Sequence, residues 1–146
     1  MTISSSTFVE DTILFIRDLL RDTIDDPLGR TNGFIMTSYP KRLIQYPVIT
    51  IKQVNVDTVK LGMQSTVLLA NLSLEIRVWA RNAKEGDDLL GKVIDELRSS
   101  QYNSEGTVQF QIHDFIINSV NYLVDVDGDN SVHSKILNIS YKIILN

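Results

Sequence analysis

From Leu68 to Ala80 every even position is apolar: Leu68, Ala70, Leu72, Leu74, Ile76, Val78 and Ala80. Between them, Asn71, Ser73, Glu75, Arg77, Trp79 and then Arg81 are mostly polar. Alternation with a period of two predicts a β-strand with one buried face. Val48 to Val56 reads as a second strand, connected to the first through Lys60 to Gln64 around Gly62. Phe115 to Val126 and Val132 to Leu145 read as two more, the last with Leu137, Ile139, Tyr141, Ile143 and Leu145 on one face. A short strand around Val108, Phe110 and Ile112 is a further candidate.

Two stretches change the period. Val9, Ile13, Ile16, Leu20 and Ile24 recur every three or four residues, the stripe of an amphipathic helix, and Phe8, Phe15 and Leu19 widen it. Thr7 and Glu10 have the spacing of a capping box at its start, and Pro27 predicts its end near Asp25 and Asp26. Leu89, Leu90, Val93, Ile94 and Leu97 form a second helical stripe, opened by the same spacing at Asn82 and Glu85 and closed by the polar run SSQYNSEG. The predicted order is α-β-β-α-β-β: an α+β fold with a mostly antiparallel β-sheet and two main helices packed on it.

Residues 27–47, PLGRTNGFIMTSYPKRLIQYP, hold all three prolines and read as one long loop. Loops of this length are uncommon in compact domains and are often functional. A short hairpin or a disordered arm from Gly33 to Leu43 is the alternative. The segment DVDGDNS, Asp125 to Ser131, resembles a calcium loop at first sight. A calcium-binding EF-hand loop needs glycine sixth and glutamate twelfth; here glycine is fourth and the twelfth residue is Ile136. Asp-Gly between β-rich runs signals a hairpin turn instead.

Length sharpens the picture. A strand from Val67 to Arg81 rises about 3.3 Å per residue and is roughly 50 Å long. A domain of 146 residues is on the order of 40 Å across. The long hairpins therefore bend or project, and projecting ribbons expose edges and half-apolar faces suited to self-association. A bulge or strong twist would absorb the same excess.

Composition narrows the chemistry. The 146 residues suit one domain, 1–146, with ordinary charged (22%) and hydrophobic (43%) content. No cysteine is present, which removes disulfides, thiolate metal sites and cysteine nucleophiles. A net charge of −4 gives the whole chain no attraction to nucleic acid or anionic lipid. Neither a secretory signal nor an apolar run of membrane-spanning length is visible, so a soluble, intracellular protein is expected. His113 and His133 lack acid partners at ligand spacing, and no nucleophile elbow or phosphate loop occurs. No enzyme activity, cofactor or metal is expected. Lys41-Arg42 between Tyr39 and Tyr46 is a thin candidate for phosphate contact, and surface solubility explains the pair equally. Trp79 between Arg77 and Arg81 suits a protein interface, and packing of that face suits it as well.

The element order, with YPVITI, KLGMQ, LEIRVWAR and the junction VWARNAKEGDDLLGKVIDEL, resembles the tail-terminator and head–tail joining proteins of long-tailed bacteriophages. The resemblance spans Thr7 to Leu145. It implies a homohexameric ring that caps the tail tube, stops tube polymerisation and meets the head connector. Genomic DNA would pass through the lumen without sequence-specific binding. It further implies subunit contacts on the long hairpins and on Arg77, Trp79 and Arg81. The Pro27 to Pro47 loop, with Tyr39, Lys41, Arg42 and Tyr46, would face the lumen or a neighbouring ring. Partners would be the tail tube protein and a connector or stopper, in the virion and, during assembly, in the host cytoplasm. A head-side connector ring and a cytoplasmic binding module are the rival expectations.

Overall fold

The computed structural model describes residues 6–30, 34–38, 45–60, 62–63, 67–102, 112–127 and 130–145. The order is α1 (Phe8–Thr23), β1 (Ile35–Met36), β2 (Val48–Lys60), β3 (Leu68–Ala80), α2 (Ala83–Tyr102), β4 (Ile112–Asp127) and β5 (Asn130–Leu145). The five strands form one sheet in the order β1-β2-β3-β5-β4. Only β1 is parallel to its neighbour; the other pairings are antiparallel. The chain is thus an α+β fold with two helices on a mixed, mostly antiparallel sheet.

Register explains which side holds the core. In β3 the residues Ala70 to Ala80 at even positions are all buried. They pair with odd positions of β5, so Ile76 faces Leu137, Leu74 faces Ile139 and Leu72 faces Tyr141. On this side α2 lies over β3 and β5, while α1 lies over β1 and β2. Ile16 and Leu20 of α1, Ile24 just past its end, and Leu89, Val93 and Leu97 of α2 complete the core. Among the described residues, no helix packs on the opposite face.

Several expectations are corrected. The loop 27–47 contains a strand: Ile35 and Met36 pair with Ile49 and Thr50. Two residues show no periodicity, and β1 is held from outside itself. Arg21 Nε donates to Ile35 O at 2.8 Å, and Ile49 N donates to Phe34 O at 2.9 Å. The hairpin or arm from Gly33 to Leu43 lies partly outside the described residues.

Strand β2 runs past Val56 to Lys60, and α2 continues through the start of the polar run to Tyr102. At α1 the capping box does not form. Thr7 Oγ1 donates instead to Asp11 Oδ2 at 2.6 Å. At α2 half of it forms: Glu85 N donates to Asn82 Oδ1 at 2.9 Å, while the Glu85 carboxylate turns to Arg81. The candidate strand near Val108 and Phe110 lies outside the described residues. β4 itself starts at Ile112.

The β2–β3 connection passes through Gly62 at φ +100°, a left-handed conformation that favours glycine. Strands β4 and β5 pair as far as Asp127 and Asn130, which leaves two residues to join them. That is the spacing of the tightest hairpins. Gly128 and Asp129, where the sequence predicts the turn, lie outside the described residues.

Candidate self-association surface

The odd positions of β3 place Arg77 and Trp79 side by side on the face opposite the helices, where Val48, Ser134 and Ile136 beside them are buried. The Arg77 guanidinium carbon sits 5.0 Å from the Trp79 ring centroid, a cation–π contact. Arg77 also pairs with Glu75 at 3.2 Å, and Trp79 Nε1 donates to Thr50 Oγ1 on β2 at 3.3 Å. Arg77 Nε is buried without a hydrogen-bond partner, as is Ser134 Oγ, which lies across from Trp79 on β5.

Arg81 is separate from this pair. It follows the end of β3 and folds back onto α2, where its backbone and guanidinium donate to Glu85. The Arg81 hydrogen bond holds the Glu85 carboxyl below its ordinary value, outweighing burial, and the same contact raises Arg81. Arg81 therefore fastens the strand end to the helix start.

Of the loop candidates, Tyr39, Lys41 and Arg42 lie outside the described residues. Tyr46 is half-buried. The residues on either side of it are clamped, because the Arg30 guanidinium donates to the carbonyls of Gln45 and Pro47. Asp26 in turn binds Arg30 at 2.7 Å.

The larger exposed apolar surface was not among the expected site residues. On the face opposite the helices, Val59, Leu69 and Ile144 stand opposite one another on β2, β3 and β5. Val59 is 57% and Ile144 38% exposed, and Met63 at the hairpin connection is 97% exposed. The signal was an apolar residue out of phase: Leu69 breaks the alternation of β3, and Ile144 breaks that of β5.

Strand β4 closes one side of the sheet and leaves Ile116, Val120, Tyr122 and Leu123 exposed. Its rows with β5 put Val120 and Tyr122 on the helix-bearing side, beyond the cover of α2. Tyr122 is held there by its neighbours. Its hydroxyl contacts His133 Nδ1, and Lys135 Nζ lies 4.6 Å from its ring while pairing with Asp87 of α2 at 2.6 Å. On the helix-bearing side an open groove of about 440 Å³ runs along the start of α1, lined by Phe8, Val9, Glu10, Ile13, Leu14 and Thr37 among others.

Among the described residues, no group of three His, Asp or Glu could hold a metal ion. No described helix is long and apolar enough to cross a membrane. The arrangement offers apolar area, open strand edges and fixed aromatic side chains, which are the elements of a protein–protein contact.

No family model matches the chain, and no curated protein matches it. Among solved structures it is similar to a chain of the "Virion of native gene transfer agent (GTA) particle". The identity is 10%, the TM-score 0.45, and the alignment covers 90% of this chain and 96% of that one. This is a distant structural similarity, and no partner or role follows from it.

Proposed function

We propose that this chain is a structural virion protein whose copies form a ring at the end of a viral tail tube. The ring caps the tube, stops its polymerisation and joins it to the head connector, with DNA passing through the lumen. The element order and junction described above support the reading. The observation that carries it is apolar exposure on long ribbons: Val54, Val59, Met63, Val120, Tyr122 and Leu123 are all between 44% and 97% exposed. Isolated exposed apolar residues are normal, but rows of them on edge strands mark a surface that meets another chain.

The subunit contacts of this ring would include the long hairpins and the Arg77–Trp79 face. The test is a tube-growth assay. Purified protein added to polymerising tail tube protein is expected to arrest growth at substoichiometric amounts, with one ring seen at tube ends by electron microscopy. Unchanged tube length would overturn termination, and binding to connector rings alone would reassign the chain to the head side.

A further inference from the structure

The two sides of the sheet treat their edges differently. Beyond Thr50, where its pairing with β1 ends, β2 carries Lys52, a register shift between Gln53 and Asn55, and Lys60. Lysines and bulges are the means by which an exposed edge refuses a further strand. β4 has the opposite character. Among the described residues it pairs with β5 alone. Its 16 residues include no lysine, arginine or proline. Its two register shifts fall between His113 and Ile116 and between Ile117 and Ser119, so every residue from Ser119 to Asp127 pairs with β5 without a break. A regular edge with no blunting device is a template for another extended chain.

The side chains of β4 define what that chain would be. Val120, Tyr122 and Leu123 are exposed. Tyr122 is already fixed by the contacts of its hydroxyl with His133 and of its ring with Lys135, so little of its freedom remains to be lost on binding. β4 also carries three aspartates, two of which, Asp125 and Asp127, fall in the unbroken stretch. Opposite charges on facing strands stabilise a pair and like charges destabilise it, which selects a basic incoming strand. A second copy fits poorly: another β4 brings aspartates with no base to meet them, and β2 is blunted by its bulge.

We infer that β4, from Ser119 to Asp127, takes up an extended segment of another protein as a sixth strand of the sheet. That segment has apolar residues at alternate positions, on the side of Val120 and Tyr122, and lysine or arginine between them. The inference goes beyond the ring reading, which keeps the β2–β3 hairpin, with Val59, Leu69 and Met63, for contacts between copies.

A fluorescent peptide alternating valine and lysine, long enough to span Ser119 to Asp127, tests it. Anisotropy should show saturable binding to the full chain, and a peptide with glutamate in place of lysine should bind at least about ten-fold more weakly, the size of a hot-spot loss. Val120→Lys should weaken the lysine peptide by the same factor while self-association stays as in wild type. Leu123→Lys is the second variant should Val120→Lys lose its native circular dichroism. Hydrogen exchange of the outward amides of β4 should slow when the peptide is added. Equal affinity for the two peptides, or unchanged affinity in a folded variant, would overturn the inference. Outward β4 amides already protected without peptide would also overturn it, giving the edge to a second copy. Tube capping by wild type alongside absent peptide binding would remove this inference and leave the ring reading in place.

Discussion

Tyr141 is fully buried in β5 beneath α1. Burial pushes its phenol above the ordinary value, with the Thr12 hydroxyl acting in the opposite direction. Yet the Tyr141 hydroxyl closes no well-formed hydrogen bond, and the Thr12 proton itself goes to Phe8 O at 2.8 Å. A buried polar atom without a partner costs stability, so removing it should not. Tyr141→Phe is expected to change unfolding free energy by less than about 1 kcal/mol, or to raise it, in a denaturant titration. Asp26 gives the opposite case. Burial raises its carboxyl, but the Arg30 side chain and the amides of Leu28 and Arg30 outweigh burial and hold it below its ordinary value. A carboxylate depressed in the folded state stabilises above its unfolded value and loses that contribution as pH falls through the folded one. Asp26→Asn should therefore lower the melting temperature at pH 7, and the gap to wild type should narrow below about pH 4. A gap that is constant from pH 7 to pH 2 would contradict the Asp26–Arg30 assignment.

Elements were legible wherever one period ran unbroken. The even-position alternation placed β3 at Leu68–Ala80, and the three-four spacing placed the core face of α1 on Ile16 and Leu20, with Ile24 buried just past its end. The same alternation put Arg77 and Trp79 on one face. It could not place Arg81, which lies one residue past the strand and obeys the helix cap instead. β1 was illegible because two residues have no period and their partners lie elsewhere in the chain. The end of α2 was misread because the polar residues of its last turn read as a loop. Spacing also predicted two capping boxes, and only Asn82 accepts from an amide at its own helix start. Asn82→Ala should accordingly cost about 1 kcal/mol, the usual value of a helix cap, whereas Thr7→Ala should cost less. Equal losses in chemical denaturation would mean that the two helix starts are held alike.

At the scale of the molecule, the helices cover one face of the sheet and, among the described residues, both long edges are open and carry apolar side chains. Exposed rows such as Val59, Leu69 and Ile144 contribute little to the fold of a single copy, because water still reaches them. They contribute once a second chain covers them, at about 25 cal/mol for each Å² of apolar surface removed from water. Under the proposed self-association folding and assembly are linked: a ligand that binds only the folded state raises stability with its concentration, and the ligand would be the protein itself. The melting temperature of wild type should therefore rise with each ten-fold increase in protein concentration. In Val59→Glu it should be independent of concentration and equal to that of dilute wild type, since Val59 is 57% exposed and anchors no described core contact. Calorimetry over two decades of concentration distinguishes the outcomes. A flat wild-type profile would mean that each copy is complete alone, and a variant that melts lower even when dilute would place Val59 in the monomer's own packing.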